Sequence, residues 1–132
     1  MNLNKKYRLP AEWEYHEATW IGWPNNKQDW PKKFQPIPWV YSEIVCYLSR
    51  GEKVRIIVQS LEHQKSAERV LKAVDADVSK VEFFKLKTDR NWLRDAGPQF
   101  VKNEKNETVL INFKFNAWAK YDNYKLDAKI PA

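Results

Sequence analysis

Glycine is scarce in this chain: 132 residues contain only Gly22, Gly51 and Gly97. None of the three makes a glycine-rich phosphate turn between a strand and a helix, which argues against a nucleotide-binding doubly wound domain. Cysteine occurs once, at Cys46, so no internal disulfide can form and a reducing compartment suits the chain. The two histidines, His16 and His63, stand 47 positions apart with no partner at ligand spacing, which leaves a metal site unsupported. His63 reads as a solvated polar residue. No apolar run approaches the roughly 20 residues of a membrane span. The N-terminus, Met-Asn-Leu-Asn-Lys-Lys, has no apolar signal core. A soluble cytoplasmic protein is the expectation.

Charge and tryptophan are what the chain has in quantity. Lys and Arg number 23 against 17 Asp and Glu, a formal charge of +6. The excess is spread evenly: six basic to four acidic residues over 1–35, eleven to nine over 36–100, six to four from 101 on. No basic block marks a phosphate-binding footprint, so a nucleic-acid partner is not expected. With 43% hydrophobic residues the chain is expected to fold as one domain, its seven tryptophans filling core and interface.

Residues 1–15 read as an arm on the domain surface, with Pro10 holding Leu9 extended. Ala18 to Trp23 reads as a strand stopped by Pro24, with Trp20 and Gly22 on one face and Thr19, Ile21 and Trp23 on the other. The proline-spaced loop from Asn25 to Pro38 contains Trp30 and Phe34, and its length suggests packing over a site. Pro38 suits a first helical turn; Val40, Ile44, Val45 and Leu48 then recur at helical spacing, and Gly51 supplies a left-handed stop. Cys46, inside this helix, reads as a small buried side chain rather than a nucleophile. Lys53 to Gln59 is a buried strand, Leu61 to Val74 an amphipathic helix, and Lys80 to Leu86 another strand. Gln99 to Val101 and Thr108 to Phe113 flank a polar connection and form a hairpin. Nothing after Phe113 reads as a closing element. This order points to an α/β layer architecture.

Between the last two strand regions lies Thr88 to Pro98, Thr-Asp-Arg-Asn-Trp-Leu-Arg-Asp-Ala-Gly-Pro. Charged loops between strands commonly display binding sites. Trp92 and Asp95, three residues apart, offer an aromatic face and a carboxylate. A flat cation such as a guanidinium suits that pair, its N–H groups bonding the acid while the ring covers its plane. The alternative is a strand-linking loop whose Asp95 caps a turn and whose arginines pair with local acids.

Several stretches, in order, resemble the N-terminal part of the agmatine deiminase family, related to the bacterial peptidylarginine deiminases. They are Leu9 to Trp20, Trp30-Pro31, Ile37 to Ile44, Trp92-Leu93-Arg94-Asp95-Ala96-Gly97-Pro98, and Phe113 to Trp118. The resemblance implies the first one or two ββαβ-type blades of a five-bladed α/β propeller, the guanidine-modifying pentein fold. It implies hydrolysis of a small guanidino substrate, agmatine, to N-carbamoylputrescine and ammonia, with no cofactor, no nucleic acid and no membrane. Protein-arginine deimination, or binding without catalysis, is the alternative. Trp92 and Asp95 would contact the substrate, Asp95 as the catalytic carboxylate, with Arg94 and Gly97 as structural support. His16 would make a structural hydrogen bond. The family's nucleophilic cysteine and its acid/base histidine lie in segments beyond residue 132. Residues 1–132 are therefore expected to be an incomplete deiminase domain, inactive alone, with exposed strand edges that favour association, including homo-oligomers. Two departures stand out: Ala96 follows Asp95, and Ala119-Lys120 replaces the more usual glycine pair after Trp118.

Overall fold

Alternation along the strand Lys53–Val58 (β3) decides the centre of the molecule: Val54, Ile56 and Val58 are fully buried and belong to one core cluster. The computed structural model describes residues 6–131. In it β3 lies between two parallel neighbours, β2 (Ala18–Gly22) and β4 (Val81–Lys85), with Trp20 opposite Arg55 and Ile56 opposite Phe83. Helices α1 (Ile37–Leu48) and α2 (Leu61–Ala73) make the two parallel crossovers, and Val45, Ala67 and Leu71 pack from them onto the core. On the other face Trp20 and Phe84 meet at 4.7 Å, and Arg55 bonds Glu17 and Glu82 at 2.6 and 2.9 Å. Both outer strands, β2 and β4, are sheet edges.

Local chemistry explains the helix limits. Pro38 sits in the first turn of α1 as expected. The stop differs from expectation, because Gly51 does not adopt a positive φ. The helix instead runs on through a right-handed Ser49, and the Gly51 N–H donates to the Leu48 carbonyl at 3.0 Å, so no left-handed residue is needed. Ser60 caps α2, accepting from the His63 N–H at 3.2 Å.

The second sheet is antiparallel. β5 (Gln99–Asn103) and β6 (Thr108–Ile111) form the expected hairpin, closed by the Asn103 side chain accepting from the N–H groups of Lys105 and Glu107. Tyr7–Arg8 (β1) adds an edge strand to β5, which anchors the described part of the arm; residues 1–5 of that expected arm lie outside the described residues.

Two expectations are overturned. Of the tryptophans only Trp23, 2% exposed, is core; Trp13 is 90% exposed, and others line loops at one end of the sheet. The tail after Phe113 does close the structure: single 3-10 turns at Ala117–Ala119 and Asp127–Lys129 fold back, and Asp127 is wholly buried. No helix among the described residues is long and apolar enough to cross a membrane.

Candidate functional site

Because β2, β3 and β4 are parallel, the segments that follow them leave from one edge, the usual position of a ligand site in an open α/β sheet. Hydrogen bonds fasten these segments together. The Thr88 N–H donates to Gln59 Oε1 at 3.1 Å, and Gln59 Nε2 donates to the Thr88 hydroxyl. Asn25 and Asn26 donate to the carbonyls of Thr88 and Asp89, both at 3.3 Å, so the 25–38 loop does pack against the 88–98 loop. Asn91, with φ 66°, donates to the Trp23 carbonyl at 2.7 Å and lies on Gly22, where a Cβ would come within 2.6 Å of it. His63 corrects its sequence reading: it is half-buried, its Nδ1 accepting from the Gln59 N–H and its Nε2 donating to the Pro24 carbonyl, each at 3.1 Å. Its ring thus links two of the segments, and burial lowers its pKa.

Inside the 88–98 loop the chain makes one helical turn, α3 (Leu93–Ala96). The N–H groups of Asp95 and Ala96 donate to the Trp92 carbonyl, and that of Gly97 to the Leu93 carbonyl at 2.8 Å. A Cβ on Gly97 would lie 2.4 Å from the Leu93 oxygen, so this turn has room only for glycine. Residues i and i+3 of such a turn share a side, which brings Trp92 and Asp95 together. They line a cavity of about 520 Å³ with Trp118, Lys120 and Tyr121. Trp92 meets Trp118 and Tyr121 at centroid distances of 5.3 Å. Asp95 is exposed and its carboxylate makes no hydrogen bond or ion pair to any described residue; it is the only carboxylate in this lining. Lys120 Nζ lies 5.5 Å from the Tyr121 centroid. Arg94 is turned away, 86% exposed, bonding Glu12 at 2.7 Å. A pair so exposed adds little stability.

Beneath the cavity lies Arg90, which sequence reasoning did not single out. It forms a buried ion pair with Asp29, donates from Nε to Asn123 at 2.9 Å, and stacks 4.3 Å from Tyr121 and 5.0 Å from Trp92. Burial pushes the Asp29 carboxyl up, and Arg90 opposes it. Asp127 was missed too, although the Phe113–Trp118 stretch marked the tail as informative. Its oxygens accept from the N–H groups of Asp89 and Arg90 at 2.7 and 2.9 Å, while Asp89 accepts from the Leu126 N–H at 2.9 Å. Burial pushes the Asp127 carboxyl up, with the backbone donors pulling it back. Ala117, Trp118 and Ala119 have φ of 50°, 56° and 54°, a left-handed turn of the kind glycine adopts most easily, while Lys120 returns to the right-handed region.

His16 bonds Glu52 through Nδ1 at 2.5 Å, a structural contact remote from the cavity lining. Cys46 packs half-buried against the core and does not line the cavity. No group of three or more His, Cys, Asp or Glu among the described residues is arranged to hold a metal.

The strand ends of the α/β sheet thus carry an aromatic cavity whose lining holds one carboxylate, Asp95, and one ammonium group, Lys120. Over residues 8–132 the sequence matches the Porphyromonas-type peptidyl-arginine deiminases, and the chain belongs to this family. Agmatine deiminase of Pseudomonas aeruginosa strain LESB58 is 28% identical over 116 residues, 88% of this chain and 30% of that protein. The Pseudomonas fluorescens SBW25 agmatine deiminase is equally similar, at 28% over 116 residues and the same shares of each chain. Among solved structures, a C. jejuni agmatine deiminase with substrate bound superposes with a TM-score of 0.77 at 28% identity, covering 94% of this chain and 34% of its own. The chain thus spans about 30% of the length of the curated relatives it matches.

Proposed function

We propose that this chain supplies guanidinium-binding residues to a hydrolase of the agmatine deiminase type, which converts agmatine to N-carbamoylputrescine and ammonia on the way from arginine to putrescine. Asp95 carries this reading: an exposed carboxylate without an internal partner, set beside Trp92 in an aromatic cavity. A guanidinium entering there would give Asp95 paired N–H bonds and lie against the indole, displacing the Lys120 ammonium from the Tyr121 face. Hydrogen bonds to charged groups contribute about 1.5–3 kcal/mol each. In the reaction a thiolate attacks the guanidine carbon, ammonia leaves, and water hydrolyses the amidino adduct. That thiolate and the acid/base histidine would come from chain outside these 132 residues, the whole forming a cytoplasmic five-bladed propeller. The names of the relatives support agmatine. The family description favours protein-arginine as the second substrate reading.

Calorimetric titration of agmatine into the chain and its Asp95→Asn variant tests this. Binding at least about tenfold weaker in the variant is expected, because two charge-assisted bonds are lost. Equal binding by both would overturn the assignment of Asp95. A colour assay for ureido product should show no turnover by the 132 residues alone.

A further inference from the structure

A second cavity lies beside the start of α1. The segment leading to it folds into successive turns, Trp30 N–H to the Lys27 carbonyl, Lys33 to Trp30 and Ile37 to Phe34, at 3.0 to 3.2 Å. Lys27, Trp30, Lys32, Phe34, Gln35 and Pro38 line an open cleft of about 650 Å³ there, sharing no residue with the Asp95 cavity. That volume suits a small-molecule ligand. The segment has three lysines, Lys27, Lys32 and Lys33, and one acid, Asp29. Asp29 is turned inward onto Arg90, its side chain 5% exposed, and none of the three lysines forms an ion pair among the described residues. The even charge count along the sequence hid this, since Glu12, Glu14 and Glu17 offset the lysines numerically from elsewhere. Nor does α1 supply a counter-charge: its first turn has no acid and Pro36 gives no side-chain cap, so the positive end of the helix dipole adds to the same potential. Trp30 and Phe34, half-buried with centroids 5.9 Å apart, provide ring surface between the ammonium groups. Trp30 is held edge-on by Tyr41 at 6.2 Å.

We propose that this cavity binds a planar organic anion, an aromatic ring carrying a phosphate or carboxylate group. The ring lies on Trp30 and Phe34 and the anionic group meets Lys27 and Lys32. A cation is repelled from it, and a neutral ring gains nothing from the lysines.

Calorimetry on the chain tests the proposal with adenosine monophosphate and benzoate as probes, and with adenosine and inorganic phosphate carrying one feature each. The better of the two ring anions is expected to bind at least about tenfold tighter than adenosine or phosphate, and to weaken at least about tenfold in a Lys27→Gln/Lys32→Gln variant that melts like the parent. Tighter binding of the monophosphate identifies a phosphate ligand, and tighter binding of benzoate a carboxylate. Adenosine binding as well as its monophosphate, anion binding that survives the double substitution, or no binding of either anion would each overturn it.

Discussion

Arg90 and Asp29, 61 residues apart in sequence, form an ion pair under the cavity with both side chains less than a tenth exposed. The same guanidinium backs the rings of Tyr121 and Trp92, so the pair supports the wall against which a substrate would lie. Removing only the cation strands Asp29 in a site where burial already disfavours its charge. Arg90→Met is expected to cost about 3 kcal/mol in urea unfolding, and adding Asp29→Asn should recover part of that. A loss below about 1 kcal/mol would show that the pair carries no more than a surface contact does.

Gly97 is the position where the α3 turn tolerates least. An added Cβ meets the Leu93 carbonyl oxygen at 2.4 Å, and that atom is backbone, so relief requires opening α3 itself. Gly97→Ala is therefore expected to lose about 2 kcal/mol of stability and to weaken agmatine binding, because Trp92 and Asp95 are set by the same turn. Thermal melting paired with calorimetry reads both effects. Unchanged affinity in a folded variant would mean that α3 does not position the two side chains.

His63 gives stability a pH dependence of known sign. Its pKa in the fold lies below the ordinary value of 6.5, chiefly through burial, with the Pro24 carbonyl pulling the other way. As pH falls through 6.5 the unfolded chain takes up the proton first. The contribution of neutral His63 is complete above that value and declines as pH drops towards the depressed native one, then levels off. Unfolding free energies between about pH 7.5 and pH 5.5 should fall less steeply in His63→Gln than in the parent. Parallel curves would exclude His63 as the source.

The left-handed turn before Lys120 predicts a stabilising substitution. Ala119 is exposed with φ 54°, a conformation that costs a residue with a Cβ about 1 kcal/mol and glycine little. Ala119→Gly should raise the melting temperature by about 3 °C. Ala117→Gly should gain less, since the Ala117 methyl is buried and its packing would be lost. Equal gains, or a lower melting temperature for Ala119→Gly, would contradict this account.

What the sequence made legible was what repeats locally. β-branched alternation in Lys53–Val58 and the stripes of α1 and α2 each extend over several residues, enough to read a period. Trp92 and Asp95 were visible because their relation is one turn long. α3 itself, four residues inside a charged loop, is too short for any period to register. Arg90 and Asp127 escaped for a different reason. Their partners lie 33 to 61 residues away, and nothing in their immediate neighbours distinguishes a buried ionic group from a solvated one. The tryptophans misled because large apolar rings suit a core equally well as a cavity wall.

Asp127 holds the amides of Asp89 and Arg90 from a point near the end of the described chain, and this sets an order of events. The strands and helices of the parallel sheet all lie at or before Lys85 and so emerge first on a growing chain, before Asn91 can pack on Gly22 and bond the Trp23 carbonyl. The loop reaches its final shape when Leu126 and Asp127 arrive. Synthesis interrupted between those two moments would leave a formed sheet whose 88–98 loop is not yet pinned by Asp127.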